Sequence, residues 1–231
     1  MPALDRYSLA LKFFPESADH LLDIGSSDGS FVKQLVRGTG AQIDIIEPSP
    51  SASLVQMSRE YAERVVLHST PLESAVPSGA RYDVVTLLDV FEHVTDEQKF
   101  ADEVVRRVRP GGLIILSVPH VCWYDFLDPA NVLSRLRSDS EWHRHYRVEQ
   151  LLAFFGDAVE VCHIRRQGTL WGVLIKYALH YRLLAILPVW FTRLRKKIER
   201  RDYARSWGRA SYHLLLVLKK KDCANQSIRV V

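Results

Sequence analysis

Apolar residues in the first 120 positions gather into short continuous runs at Leu21–Ile24, Ile43–Ile46, Val65–Leu67, Tyr82–Leu88 and Leu113–Val118. Such runs suit strands buried on both faces, and their alternation with stretches of helical periodicity predicts βα units that build a parallel sheet. Between them the pattern predicts helices at Ser30–Val36, stopped by Gly38, and at Ser51–Glu63. A third starts at Thr95, with Gln98 as capping-box partner, and ends before Pro110-Gly111-Gly112.

The alternation breaks after Pro119. An aromatic and polar loop from His120 to Tyr146 leads to a short helix at Val148–Phe155, and two further strands follow at Val159–Ile164 and Tyr212–Leu218. The stretch between these last strands reads mainly as helix. Its most apolar part, Leu170–Phe191, is interrupted by Lys176, His180, Arg182 and Pro188. The longest uncharged run there, Leu183–Phe191, is far shorter than the ~20 residues that span a bilayer, so no transmembrane helix is expected. The start, Met1-Pro-Ala-Leu-Asp-Arg-Tyr7, lacks the basic and apolar segments of a secretory signal.

With 231 residues, 47% hydrophobic and 25% charged, the chain fits one soluble domain with an elaboration. Three cysteines, Cys122, Cys162 and Cys223, have neither metal-ligand spacing nor disulfide density, which fits a reducing cytoplasm. The net charge of +4 hides an asymmetry: residues 1–120 carry 11 Lys/Arg against 17 Asp/Glu, whereas residues 121–231 carry 20 against 10. The segment Arg193–Arg209 alone holds 8 basic and 2 acidic residues, which suggests an anionic partner or a solvated helix face.

The segment Leu21-Leu-Asp-Ile-Gly-Ser-Ser-Asp-Gly-Ser-Phe31 is a strand that ends in a glycine-bearing turn and opens a helix. Gly25 and Gly29 serve where backbone must turn tightly or approach a ligand. The next strand ends at Glu47, at the spacing where an acidic side chain reaches the hydroxyls of a bound ribose. Together they specify a nucleoside-containing ligand, against the alternative of a tight turn beside an exposed acid. A dinucleotide fits badly, because Gly25-Ser-Ser-Asp-Gly29 lacks the central glycine of the pyrophosphate fingerprint and Asp28 would repel that group. Asp23 adds a carboxylate, so a cationic amino acid with a sulfonium fits well.

At these residues the chain resembles the class I S-adenosylmethionine-dependent methyltransferases. Their first motif, Asp-Ile-Gly-x-Gly-x-Gly, matches here with Ser27 in place of the middle glycine. The likeness continues through Glu47, Tyr82-Asp83-Val-Val, Leu88-Asp-Val-Phe-Glu-His-Val94, Arg109-Pro-Gly-Gly112 and Ser117-Val-Pro119, covering residues 20–165. The resemblance implies a doubly wound, mostly parallel seven-stranded α/β sheet, Rossmann-like, that ends in an antiparallel strand pair. The methyltransferase domain would then be residues 1–168 and 211–221, with 169–210 as a helical insertion. It further implies S-adenosyl-L-methionine as cofactor. Asp23, Gly25, Ser26 and Gly29 would lie around its methionine part, Glu47 at the ribose, Thr70 and Leu72 beside the adenine, and Leu88 and Asp89 near the sulfonium. The stretch His68-Ser-Thr-Pro-Leu-Glu73 lacks the family's frequent Gly-Asp, which weakens the adenine transfer.

An oxygen acceptor must lose a proton, and histidine is the natural base near neutral pH. His120 and His145 are the preferred catalytic pair; His93 and His143 are the other candidates. His93 also reads as a helix-start residue, and His143 and His145 as loop anchors. No metal site is expected. The insertion holds Trp171, Tyr177, Tyr181, Trp190 and Trp207 followed by the basic run, a composition that suits the headgroup region of an anionic membrane. A helical lid or dimer interface accounts for it equally. The expected acceptor is small or lipid-linked, nucleic acid is not expected as a partner, and the expected location is cytoplasmic or peripheral to a membrane. The alternatives are a nicotinamide-dependent oxidoreductase and a non-catalytic nucleoside-binding module of the same fold.

Overall fold

A computed structural model of the chain describes residues 6–75, 79–124, 144–169 and 206–222. The strands are β1 (His20–Ile24), β2 (Gln42–Ile46), β3 (Val65–His68), β4 (Tyr82–Leu88), β5 (Val108–Pro119), β6 (Val159–Gln167) and β7 (His213–Lys220). They form one sheet in the order β3-β2-β1-β4-β5-β7-β6, in which β7 alone runs antiparallel to its neighbours. The expected seven-stranded doubly wound architecture, with its C-terminal antiparallel pair, is the one observed.

The helices are α1 (Arg6–Ala10), α2 (Ser30–Gly38), α3 (Ala52–Glu60), α4 (Leu72–Ala75), α5 (Glu97–Arg107) and α6 (Val148–Phe155). Side chains alternate across each strand, so the continuous apolar runs feed two cores. Leu22, Val85, Leu87, Leu116 and Leu216 pack with α5 and α6, while Leu21, Ile43, Val84, Ile115 and Leu215 pack with α1 to α3.

Boundaries moved where local chemistry decided them. The first helical residue of α5 is Glu97, capped by Asp96, whose carboxylate accepts from the Lys99 amide at 3.0 Å. A charged acceptor at a helix N-terminus complements the helix dipole. Gln98 instead donates its amide to Asp102 and to the Phe154 carbonyl on α6. The Pro110-Gly111-Gly112 turn expected before β5 lies inside it as an irregularity, where pairing steps from Tyr82–Val108 to Val84–Leu113. Glycine is required there: Gly111 has φ 73°, and a Cβ on Gly112 would sit 3.0 Å from the Asp83 carbonyl. The helix expected at Ser51–Glu63 is shorter, Ala52–Glu60, with Ser51 as its cap. The short helices α1 and α4 had no periodicity long enough to predict them.

The expected insertion, 169–210, lies outside the described residues except for Thr169 and 206–210, where Gly208–Ala210 makes one 3-10 turn. Among the described residues no helix is long and apolar enough to cross a membrane.

A charged pair is held inside the helical layer. Arg107 on α5 is 1% exposed, and its guanidinium bonds Glu103 at 2.6 and 2.9 Å and the Leu72 carbonyl at 3.4 Å. Burial alone would raise the Glu103 pKa, but Arg107 and Arg106 hold it below the usual value. Removing one partner of such a pair strands the other charge. Arg107→Ala should therefore lower unfolding free energy by about 3 kcal/mol in urea titration. The double variant Arg107→Met with Glu103→Gln should recover most of that loss.

Candidate cofactor and acceptor site

The β1–α2 turn is held by three left-handed residues in alternation: Gly25 (φ 77°), Ser27 (φ 51°) and Gly29 (φ 78°). Gly25 gives close approach to the protein itself, since a Cβ there would lie 2.3 Å from Val90 Cγ2. Gly29 leaves room for Leu54 and Met57 of α3. Serine in the left-handed region is strained. Its amide is held by Glu47, which accepts from Ser27 N at 3.1 Å and from Ser49 N at 3.3 Å. Glu47 is thus fastened to the turn it was expected to serve from the tip of β2.

Asp23 is 2% exposed near the end of β1. Its two carboxylate oxygens accept from Ser26 Oγ and from Thr86 Oγ1, each at 2.5 Å. Burial pushes its pKa up to about 6, against the lowering effect of those two hydroxyls, and the nearby Glu47 charge pushes the same way. A strand end that carries such a group is unfavourable for the empty chain and favourable for a cation beside it. The residues therefore fit S-adenosylmethionine, whose methionine end carries an ammonium and whose sulfur is positive. They do not fit a pyrophosphate: Asp28 bonds the Ser30 amide and hydroxyl at 2.9 and 2.7 Å, occupying the start of α2 where a phosphate would dock.

Beyond β3, Thr70 is exposed, whereas the Leu72 side chain is packed in the core and its carbonyl takes the Arg107 bond. Leu88 is buried at the end of β4. Asp89 follows with φ 59°, a backbone state that costs a non-glycine residue free energy and collects at functional sites. It is held there by Ser117, whose carbonyl accepts the Asp89 amide at 2.9 Å and whose hydroxyl donates to Asp89 Oδ1 at 2.7 Å. The turn so formed carries Val90 over Gly25, so the cofactor-side and acceptor-side segments touch.

The tips of β5, β7 and β6 complete the same edge. His120, just after β5, is 6% exposed, and its Nδ1 lies 2.8 Å from the Ser211 carbonyl. A carbonyl can only accept, so Nδ1 carries the proton and Nε2 presents its lone pair. Burial lowers the His120 pKa below 6.5, opposed by the Ser211 bond and reinforced by Arg166 and His145. His120 also pairs with Tyr146 in an isolated bridge. His145 packs its ring on Tyr212, with centroids 5.3 Å apart, and lines an open cleft of about 550 Å³ with Glu97, Arg144 and Gln150. The two histidines are thus brought to one loop cluster. His93 is exposed and closes a 3-10 turn, and His143 lies outside the described residues.

Sequence reasoning passed over Thr86, Gln167 and His213, and quoted Ser117 in a motif without giving it a role. His213 Nδ1 lies 4.0 Å from Asp89 Oδ1. Its signal was available: a histidine opening an apolar strand that must pair beside the strand bearing His120.

Comparison with known proteins agrees with this geometry. A methyltransferase-domain family profile matches residues 3–174. A ubiquinone biosynthesis O-methyltransferase of Methylobacterium sp. (strain 4-46) is 34% identical over 101 residues, covering 42% of this chain and 39% of the relative. That of Bradyrhizobium sp. (strain ORS 278) is 30% identical over 146 residues, covering 59% and 56%. The chain thus spans about half the length of the curated relatives it matches, or less. Among solved structures, the N-methyltransferase NodS of Bradyrhizobium japonicum WM9 with bound S-adenosyl-L-homocysteine superposes with TM-score 0.59 at 13% identity, covering 94% of this chain and 86% of that one. The 1,6-didemethyltoxoflavin-N1-methyltransferase of Burkholderia thailandensis gives 0.60 at 13% identity, covering 94% and 76%. With the family profile spanning most of the sequence and the sheet, turn and acidic pair in place, the chain belongs to the class I S-adenosylmethionine-dependent methyltransferases.

Proposed function

We propose that the chain transfers the methyl group of S-adenosylmethionine to an oxygen of a small or lipid-linked acceptor, with His120 as general base. The observation that carries this reading is the 2.8 Å contact of His120 Nδ1 with the Ser211 carbonyl, which engages Nδ1 as donor and leaves Nε2 as the basic nitrogen at the carboxyl edge of the sheet. Oxygen acceptors need such a base, and the matched ubiquinone biosynthesis relatives are O-methyltransferases.

The bound cofactor supplies a methyl group made electrophilic by its positive sulfur. Asp23, Gly25, Ser26 and Gly29 hold its methionine end, and Glu47 takes the ribose hydroxyls. Thr70 and Leu72 border the adenine, while Leu88 and Asp89 flank the sulfonium. Alignment of acceptor and methyl group contributes most of the acceleration. His120 takes the acceptor proton, and His145, half-buried beside an open cleft, passes it towards water.

A lipid-linked acceptor is favoured by what flanks His120. Trp123 is 74% exposed and Trp207 is 44% exposed, on the two segments that His120 and Ser211 join, with Arg209 exposed beside them. Exposed indole next to positive charge suits the headgroup layer of an anionic membrane, and the sequence of 170–205 holds further Trp, Arg and Lys. The chain then works at the cytoplasmic face of a membrane and takes no nucleic acid.

Three outcomes are expected. The Asp23 pKa is raised in the fold, so its favourable protonated state is kept below pH 3.8 and lost as pH rises through about 6. Asp23→Asn should melt with the wild type near pH 4 and progressively above it by pH 7, while S-adenosylhomocysteine affinity in calorimetry falls at least ~tenfold. Equal affinity would show the charge is not used. His120→Asn should lower kcat/KM by about 10²–10⁴ with cofactor affinity unchanged. The wild-type rate should fall on acidification only below pH 6.5, because the base is depressed from that value. Unchanged turnover would remove His120 from the chemistry. Sedimentation with phosphatidylglycerol vesicles should be lost on Arg195→Glu, Lys196→Glu and Lys197→Glu together and weakened by Trp123→Ser; sedimentation unaffected by either would refute membrane docking.

A further inference from the structure

Gln167, the last residue of β6, is 0% exposed, yet neither its Oε1 nor its Nε2 has a hydrogen-bond partner among the described residues. A primary amide offers two donors and two acceptor lone pairs, and leaving them unmet inside a protein costs about 1–3 kcal/mol per group. Buried polar groups are paired so regularly that an exception calls for a ligand or a function.

The surroundings say which. Gln167 pairs with His213, and His213 pairs with Pro119, so the three share one row and one face at the carboxyl edge of the sheet. His213 adjoins Asp89 at 4.0 Å, and Asp89 is bonded to Ser117. Through Val90 over Gly25 this row reaches the cofactor turn. Asp89, His213 and Gln167 therefore follow one another from the tip of β4 outward across β5 and β7.

We propose that Gln167 is a specificity-determining residue that hydrogen-bonds a second oxygen of the acceptor, next to the one methylated. The inference rests on the O-methylation reading for the identity of the neighbouring atom. The amide accepts from an adjacent hydroxyl or donates to an adjacent carbonyl, and its enclosure matches an acceptor sealed from water during transfer. A group built to pair with a substrate oxygen rejects the analogue that lacks it, because the amide is then left unmet.

The test pairs two probes, catechol and phenol, with wild type and Gln167→Met, an apolar side chain of similar length. Binding is read by ligand-observed NMR titration in the presence of S-adenosylhomocysteine, so no turnover is required. Wild type should bind catechol more tightly than phenol. The variant should lose about tenfold in catechol affinity, the scale of one hydrogen bond, and bind phenol unchanged. It should also melt above the wild type without ligand, since the unmet amide is gone. Equal binding of both probes by the wild type, no catechol binding, or unchanged catechol binding by the variant overturns the proposal. A variant that melts below the wild type marks the amide as structural and overturns it as well. Catechol selectivity with no labelled methyl transferred would instead sink the O-methylation reading and leave Gln167 as a recognition residue.

Discussion

Among the glycines of the described residues, the tightest surroundings are those above Gly25. Val90 comes so near that no other residue fits, and this single approach fixes how the tip of β4 lies against the turn of β1. Asp89 adopts its costly left-handed state to deliver Val90 there, and Ser117 on the next strand secures it through both backbone and side chain. Three strand tips are therefore locked together by one turn. The β1–α2 turn and the tip of β4 are thus fixed relative to each other, which suits the alignment that an in-line displacement requires.

Charge follows the same geometry. The acidic half of the chain builds the cofactor side, where Asp23 and Glu47 converge although burial and mutual repulsion both oppose it. That opposition is a cost of folding which a cationic ligand offsets, so affinity and stability are set against each other at one residue. The edge at the tips of β5, β7 and β6 is built differently, from the buried His120, Ser211, His213 and Gln167.

Elements whose pattern was long or strongly apolar were legible in the sequence: all seven strands were foreseen, six of them within three residues, while β5 starts five residues earlier than expected. The boundaries that shifted were governed by single contacts, such as Asp96 capping α5 or Gly112 against Asp83, which periodicity does not encode. At the β1–α2 turn, the grouping of Asp23, Gly25, Gly29 and Glu47 was visible because their spacing is local. Thr86, which shares Asp23 with Ser26, was hidden because it comes from a strand 63 positions away. His213 and Gln167 were hidden for a related reason: their meaning depends on the register of β7 between β5 and β6. Ser27 was read as a departure from the glycine pattern, and its strain shows why glycine is usual there, while the Glu47 bond to its amide shows how serine is accommodated.

The placing of β7 between β5 and β6 has an evolutionary consequence. Gln167 and His213 stand opposite each other in register, so the chain leaves the sheet and returns to it at neighbouring points on the acceptor edge. A stretch closed at its base in this way can change length at small entropic cost and without disturbing strand pairing. The stretch between those residues can therefore vary in length or be exchanged between relatives without altering the register of β5, β7 and β6.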